Sequence, residues 1–349
     1  QLKQLTLDAV SPTILLVSGL IIFVITDELP QFLDTIGVGL ILMAGINYTF
    51  RFQPVTLSLF TAVLIFFSMG LHSLLTTTLF QERSFFGVHS VRENTLLNEK
   101  DRPETFHELY HGTTKHGAQR LPEHLQRTPL TYYSRPGPIG QLFSEFNNVN
   151  QRWNIGVVGL GAGALACYAK KDQRWTFFEI DPTVIEIAGN SKFFSYLKLC
   201  ANKPNMRIGD ARLSLIQEKD GQFDLLVMDA FSSDSIPTHL LTREALELYL
   251  SKLKPGGILA FHITNRHLSL KKVLSDHANK IKLAALIQEF KPQSNIPQVV
   301  ATDWVVMAKN SHSLKPLSQS RLGNWQKMPL YFDIKSWTDD FTNIISIWK

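Results

Sequence analysis

The sequence predicts an α/β protein in which a doubly wound parallel sheet follows a membrane-embedded N-terminal segment. Two observations predict these two parts. Charged side chains are scarce at the start of the chain, with six in residues 1–80 and the other 59 in residues 81–349. From residue 154 onward, short apolar runs alternate with amphipathic stretches. Alternation of apolar strands with helices is typical of a parallel sheet covered by helices on both faces.

The overall composition excludes several classes of protein. The chain is 44% hydrophobic and contains 23 Phe, so it is neither disordered nor fibrous. Its net charge of +5 is a mild surplus without a basic arm, which does not indicate nucleic-acid binding. Cys167 and Cys200 are too few for a disulfide framework and predict free thiols in a reducing compartment. The chain begins with Gln and without an intact signal peptide, so we expect a fragment or a processed chain.

The N-terminal segment contains three uncharged runs, at residues 9–26, 35–50 and 52–81. A helix needs roughly 20 apolar residues to cross a bilayer, so we expect about three transmembrane helices within residues 1–81. For the second run, a buried helix of a soluble domain is the alternative. The charges on either side of these runs give contradictory orientations for residues 82–349 relative to the membrane.

The predicted strands of the sheet are, in chain order, 155–158, 176–179, 206–208, 224–229 and 258–264. Helices are predicted at 182–188 and at 243–253, the second after Thr242 as a good N-cap. Ligands bind such sheets beyond the carboxyl ends of the strands, at the point where the strand order reverses. The residues at these strand ends are therefore the candidates for function.

The first strand is followed by a turn with Gly159, Gly161 and Gly163. Without side chains, its backbone N–H groups can approach a ligand. Because Ala164 follows, the turn also matches the dinucleotide pattern G-x-G-x-x-A, and alone it is a weak signal.

The second and third strands end in carboxylates. Glu179 and Asp181 follow the second strand, where a carboxylate can bind both ribose hydroxyls. Asp210, followed by Ala211, can bind an adenine amino group from the end of the third strand. With the Gly-Gly turn at 254–257, this set predicts a class I S-adenosylmethionine-type fold. Two alternatives are an NAD site and a sheet whose acidic strand ends only cap helices.

The fourth strand ends at Asp229, and a polar loop containing Asp234 comes next. A carboxylate at this point can accept a proton from an attacking amine and hold its cation. A helix cap is the alternative for a single strand-end Asp, but the second Asp in a Ser-rich loop favours a catalytic role for both.

The runs 178–182, 208–211 and 228–234 together resemble the spermidine synthase family of aminopropyltransferases. More closely, they resemble its membrane-fused bacterial members, over roughly residues 82–349. The resemblance implies a small β-rich domain at 82–150, before a Rossmann-like nucleoside-binding domain at 151–349. It also implies that Gln119 contacts the nucleoside, Glu179 the ribose and Asp210 the adenine, and that Asp229 orients and deprotonates the amine.

The acceptor side departs from that family. Where the synthases carry an acidic segment, this chain has residues 129–135, which keep aromatic side chains at Tyr132 and Tyr133 but contain no carboxylate. A dicationic amine needs anionic partners to offset its desolvation, so the pocket is a poor polyamine site. We assign Tyr132 and Tyr133 to the catalytic set with Asp229 and Asp234.

The resulting expectation is a membrane-anchored transferase that uses decarboxylated S-adenosylmethionine, or S-adenosylmethionine itself, as co-substrate and a small amine or other nucleophile as acceptor. Methyl transfer to a small or lipid-borne acceptor is one alternative. A non-catalytic subunit that binds a membrane-protein partner or upstream transmembrane helices is another. No metal is expected, because the spacings among His107, His111, His116 and His124 do not form a metal-ligand pattern. We expect the bacterial inner membrane, with the catalytic domain on the cytoplasmic face.

Overall fold

The structure is a computed structural model. It describes residues 77–98, 100–146, 152–201, 204–230, 237–292, 296–331 and 334–349, and nine separate residues between Gly45 and Ala62. Within this part of the chain no helix is both long enough and apolar enough to cross a membrane. The predicted transmembrane runs fall mostly outside the described residues and stay predictions. The last five residues of the third run are an exception, because residues 77–81 lie in a strand and not in a helix.

Residues 78–349 form one compact unit that contains two sheets. The strands are β1 (Thr77–Ser84), β2 (Gly87–Leu97), β3 (Pro103–His111), β4 (Thr114–Arg120), β5 (Asn154–Val158), β6 (Arg174–Glu179), β7 (Asn205–Ile208), β8 (Phe223–Met228), β9 (Leu253–His262), β10 (Ala284–Phe290), β11 (Thr302–Ala308) and β12 (Gln326–Lys327). The α-helices of this unit are α1 (Pro138–Phe146), α2 (Pro182–Gly189), α3 (Tyr196–Cys200), α4 (Ala211–Gln217), α5 (Arg243–Lys252), α6 (Leu270–Lys280) and α7 (Lys315–Ser318).

The smaller sheet has the order β1-β2-β3-β4 and confirms the β-rich region expected before the main sheet. β2 pairs antiparallel with β3, and β3 pairs antiparallel with β4. The domain limits 82–150 and 151–349 stay predictions.

The larger sheet has the order β12-β10-β11-β9-β8-β5-β6-β7. All five predicted strands are present as β5 to β9, and the pairings among them are parallel. The order reverses beside β5, which lies between β6 and β8. At the other edge β9, β11 and β10 pair antiparallel, an extension that the sequence analysis did not predict.

The inner strands of the larger sheet are buried on both faces, which explains why they are continuously apolar, whereas the edge strands β7 and β12 are largely exposed. Ile155 and Val157 of β5 pack into one apolar cluster, and Val158 packs into the other. Such burial on both faces is the condition under which parallel sheets are found. The helix after β8 is capped as predicted, because Thr242 accepts a hydrogen bond from the backbone N–H of Ala245 at the start of α5.

One local expectation was wrong. Cys167 and Cys200 are joined in a disulfide instead of being free thiols. Cys167 lies in a short 3-10 helix after the glycine turn, Ala164–Tyr168, and Cys200 ends α3. The two residues are 33 positions apart, and only the fold brings them together.

Candidate active site

A cavity of about 360 Å³ lies at the carboxyl ends of β5, β6, β7 and β8. Its other wall comes from the smaller sheet, which contributes Phe86 and several histidines. The position beside β5 is where the strand order reverses, as expected for the ligand site of a doubly wound sheet. The volume lies in the range usual for small-molecule pockets.

The glycine turn forms part of the cavity floor. Gly159 and Gly161 line the cavity with positive φ angles of 93° and 53°. A Cβ atom at Gly159 would lie 2.1 Å from the carbonyl oxygen of Asp229, so only glycine fits there. Gly163 also has a positive φ, but it packs against Leu197 and does not line the cavity. The predicted contact of Gly163 with the ligand is therefore replaced by a packing role.

Glu179 lies at the end of β6 beside this turn and lines the cavity. Its Oε2 accepts a hydrogen bond from the Leu160 N–H at 2.9 Å, and its Oε1 accepts one from the Asp181 N–H at 3.0 Å. Burial raises the pKa of Glu179, while these backbone donors act in the opposite direction. The carboxylate thus fixes the glycine turn and presents its remaining lone pairs to the cavity.

Asp181 connects the two sheets. Its Oδ1 accepts a hydrogen bond from the Thr183 N–H at 2.9 Å, which caps α2. Its Oδ2 lies 2.7 Å from His89 Nε2 and accepts a 2.5 Å hydrogen bond from Ser84 Oγ. Burial alone would raise the pKa of Asp181, but the hydrogen bonds from Ser84 and His89 outweigh it and lower that pKa. Asp181 lines the cavity as a partnered carboxylate.

Asp210 and Ala211 line the opposite end of the cavity. Asp210 caps α4, because its Oδ1 accepts a hydrogen bond from the Leu213 N–H at 2.9 Å. Its Oδ2 lies 2.9 Å from Nε2 of His239, a half-exposed side chain that also lines the cavity. Burial alone would raise the pKa of Asp210, but the Leu213 N–H and His239 together lower it.

Asp229 follows β8, next to the glycine turn after β5 and two strands away from Glu179, and its side chain is buried at the cavity wall. Tyr133 donates its hydroxyl hydrogen to Asp229 Oδ2. His262 Nδ1 lies 2.7 Å from Asp229 Oδ1. Burial, followed by the Asp229 charge, raises the pKa of Tyr133 far above its usual range, so its hydroxyl remains a donor. Each carboxylate oxygen therefore has one partner in the protein and a lone pair left for a ligand.

His262 is a site residue that the sequence analysis missed. It ends β9, its Nε2 lies 2.8 Å from Thr264 Oγ1, and its ring stacks on Tyr132 with centroids 4.3 Å apart. Tyr132 in turn donates its hydroxyl hydrogen to the carbonyl oxygen of His116 at 3.0 Å. Of the two predicted tyrosines, Tyr133 therefore contacts Asp229 directly, and Tyr132 contacts its partner His262. The signal available in the sequence was a polar residue near the end of the apolar run 258–264.

Gln119 is placed differently from the expectation. Its Nε2 donates hydrogen bonds to Gln126 O at 2.8 Å and to Ser195 Oγ at 2.9 Å, and its Oε1 accepts one from the Ser195 N–H at 2.8 Å. Gln119 is 2% exposed and does not line the cavity, so the predicted nucleoside contact is corrected to a structural role. Gln119 belongs to β4, and the residue of β4 that does line the cavity is His116. Asp234 lies outside the described residues.

Three histidines from the smaller sheet, His89, His111 and His116, line the cavity. His107, from the same sequence cluster, instead binds the carbonyl oxygen of Phe193 through Nδ1 at 2.8 Å. Among the described residues no group of three or more His, Cys, Asp and Glu side chains could hold a metal ion.

Taken with the two sheets, these features define the fold as the α/β type of class I S-adenosylmethionine-dependent transferases, preceded by a small β-rich region. No family model matches the chain. It is similar to the polyamine aminopropyltransferase of Vibrio vulnificus, with 30% identity over 108 residues. That similarity covers 30% of this chain and 35% of the relative, so the chain matches about a third of the length of the relative.

The chain is also similar to solved structures. A probable spermidine synthase from Corynebacterium glutamicum has a TM-score of 0.53 at 16% identity, with 71% of this chain and 90% of that chain covered. Spermidine synthase from Thermotoga maritima has a TM-score of 0.47 at 14% identity, with 73% and 81% covered. The first of these likenesses establishes the fold that the sequence analysis predicted.

Proposed function

We propose that the chain is a transferase that moves an alkyl group from an adenosyl sulfonium co-substrate to an amine. The aminopropyl group of decarboxylated S-adenosylmethionine is the first choice, because the matched Vibrio relative is named a polyamine aminopropyltransferase. The observation that carries the proposal is one cavity that joins the glycine turn, Glu179, Asp210 and Asp229.

In this proposal, Glu179 receives the ribose hydroxyls and Asp210 the adenine amino group. These two carboxylates line the cavity at the ends of neighbouring parallel strands. Asp210 Oδ2 binds the adenine amino group either together with His239 or in place of it. The turn at Gly159 and Gly161 allows the ligand to approach the backbone closely.

Asp229 acts on the acceptor. The amine nitrogen forms a bond to the carbon attached to sulfur as the carbon–sulfur bond breaks, and the bonding pair remains on sulfur as a neutral thioether. Before this attack, Asp229 accepts one proton from the ammonium form of the amine through a free lone pair, which makes the attacking nitrogen neutral. The product nitrogen carries the positive charge, and Asp229 releases its proton to water. Tyr133 and His262 hold the carboxylate in one orientation. Most of the rate gain in such a reaction comes from alignment, because the thioether leaves without protonation.

The test is to identify the nucleoside that the full-length protein releases. Purified protein is incubated with decarboxylated S-adenosylmethionine or with S-adenosylmethionine and a mixture of amines, and the products are separated by chromatography. Methylthioadenosine supports aminopropyl transfer, and S-adenosylhomocysteine supports the methyltransferase alternative. Release of neither, with intact nucleoside binding, would contradict the transferase proposal and favour a binding subunit.

We also keep the inner-membrane location, with the catalytic domain on the cytoplasmic face, as a proposal. Membrane fractions washed with carbonate should retain the protein if residues 1–81 anchor it through apolar contact. The Cys167–Cys200 disulfide argues against the cytoplasmic face, because disulfides persist in oxidising compartments and thiols in the cytoplasm, so free thiols in the cell would support that face and an intact disulfide would contradict it. Thiol labelling before lysis tests this part of the proposal.

A further inference from the structure

The smaller sheet contributes a row of imidazoles to the cavity. His89 comes from β2, His111 from the end of β3 and His116 from β4. The rings of His89 and His111 stack with centroids 4.6 Å apart, and those of His111 and His116 lie 5.9 Å apart. We call these three residues the imidazole wall. His116 lies on the Asp229 side of the cavity, because its backbone carbonyl oxygen accepts a hydrogen bond from Tyr132, whose ring stacks on His262, the partner of Asp229.

Two of the three imidazoles already have partners. His89 is bound to Asp181, and His111 Nε2 lies 2.9 Å from the carbonyl oxygen of Phe86. His116 differs, because its Nε2 is shielded from solvent and has no hydrogen-bond partner among the described residues. This nitrogen is therefore covered by the protein, and His116 lines the cavity through its other atoms.

The wall disfavours positive charge. Burial lowers the pKa of His116 from 6.5 to about 4, even though the Asp229 carboxylate acts to raise it. Burial and the neighbouring His89 also lower the pKa of His111. At neutral pH both rings are uncharged. The His116 imidazole binds a proton roughly two to three powers of ten more weakly than a solvent-exposed imidazole does. A positive charge at this position is therefore unfavourable.

Carboxylates that could compensate a cation are few. Among the described residues, four line the cavity: Glu179, Asp181, Asp210 and Asp229. Three of these are engaged by backbone N–H groups or histidines, and two of the three are assigned to the nucleoside. Of the four, Asp229 remains for the reacting nitrogen, so the described part of the lining supplies one counter-charge for one ammonium group; Asp234 lies outside that part.

We propose that the acceptor is an amine with a single cationic nitrogen and an uncharged remainder that lies against His111 and His116. The inference rests on the proposed function and specifies its substrate class. Asp229 pairs with the reacting nitrogen, and the uncharged remainder packs against the two imidazole rings. A second ammonium group would lie against neutral imidazoles without a counter-charge.

The experiment compares three amines with the same four-carbon chain: putrescine, 4-aminobutan-1-ol and n-butylamine. They differ only at the far end, which is an ammonium, a hydroxyl or a methyl group. Methylthioadenosine release from decarboxylated S-adenosylmethionine is measured for each with the full-length protein. Calorimetry of each amine with the protein–methylthioadenosine complex gives a readout independent of turnover. We expect kcat/KM and affinity to be about a hundredfold lower for putrescine than for the two monoamines.

Substitutions of His116 test the residue itself. His116→Phe, which keeps an uncharged ring at this position, should keep the preference for the two monoamines over putrescine. His116→Glu should raise the use of putrescine by tenfold or more, because it supplies the missing counter-charge. His124→Glu is the matched control, because it adds the same charge at an exposed position outside the cavity and should change nothing. The affinity of each variant for methylthioadenosine shows whether it is folded.

Preference of the wild-type protein for putrescine over both monoamines would overturn the inference while leaving the proposed function intact. An equal effect of His116→Glu and His124→Glu would also overturn it. Failure of all three amines to react or bind, in a protein that binds methylthioadenosine, would contradict amine transfer and the inference with it.

Discussion

Replacement of Asp229 by Asn separates catalysis from nucleoside binding. The carboxylate accepts one hydrogen bond at each oxygen, from Tyr133 and from His262. Asn keeps the shape and one acceptor, but its NH2 group must face one of these two donors. Hydrogen bonds to charged groups contribute about 1.5 to 3 kcal/mol each, so the loss of one should lower the free energy of unfolding by roughly that amount. Loss of the base should lower kcat by about 10² to 10⁴.

Nucleoside affinity should respond far less. Glu179 and Asp210 are the proposed ribose and adenine ligands, and neither has Asp229 as a hydrogen-bond partner. We expect the dissociation constant of methylthioadenosine to stay within about tenfold, or ~1.4 kcal/mol. Calorimetry gives this constant, urea denaturation gives the stability, and release of methylthioadenosine gives the rate.

Asp220→Asn is the matched control, because Asp220 is exposed and pairs with Lys252 far from the cavity lining. It should leave turnover and nucleoside affinity unchanged. An Asp229→Asn protein with wild-type turnover would refute the role of this carboxylate. A hundredfold loss of nucleoside affinity in the same variant would refute the assignment of nucleoside binding to Glu179 and Asp210 and of acceptor chemistry to Asp229.

Three further predictions concern stability and the glycine turn. Reduction of the Cys167–Cys200 disulfide, which spans 33 residues, should lower the free energy of unfolding by up to about 4 kcal/mol in urea titrations, and a double Ser variant should not respond to reductant. The pKa of His116 is lowered in the folded chain, so the unfolded chain binds more protons between pH 6.5 and about 4, and stability should fall as the pH is lowered through that window. The loss should reach about 2 to 3 kcal/mol near pH 4.5 and be smaller in His116→Phe, as followed by denaturation at each pH. Gly159→Ala places a Cβ atom 2.1 Å from the Asp229 carbonyl oxygen at a positive φ, so calorimetry should show loss of methylthioadenosine binding. Gly189→Ala is the control, because a Cβ atom there has no neighbour within 4 Å and the variant should retain binding.

The central sheet and its ligand-binding edge could be predicted because they depend on local pattern. Continuous apolar runs mark the buried strands, and β5 to β8 lie within about two residues of the predicted runs. β9 overlaps its run but begins at Leu253, before the predicted turn at 254–257, and ends at His262. Polar residues directly after such strands must meet at one edge of a parallel sheet. Glu179, Asp210 and Asp229 therefore converge on one cavity as expected.

The features that the sequence could not predict depend on contacts between distant segments. The partners of His262 and the disulfide arise from packing between elements more than 30 residues apart. The role of Gln119 is predicted by the resemblance alone. A bulge at Leu109 and Tyr110 alters the pairing between β3 and β4, the strand that contains Gln119. His116 faces the cavity instead, while the Gln119 amide is used by Ser195 and Gln126. Side-chain direction in an irregular sheet is decided by such packing and not by spacing.

The central claim is that the cavity binds an adenosyl sulfonium nucleoside through Glu179 and Asp210, and calorimetry of the full-length protein tests it most directly. Methylthioadenosine, S-adenosylhomocysteine and NAD are titrated into the wild-type protein and into the Glu179→Ala and Asp210→Ala variants. We predict that at least one of the first two ligands binds with micromolar affinity and that each substitution weakens it at least tenfold. Binding of NAD, with neither adenosyl thioether bound at millimolar concentration, would contradict the account.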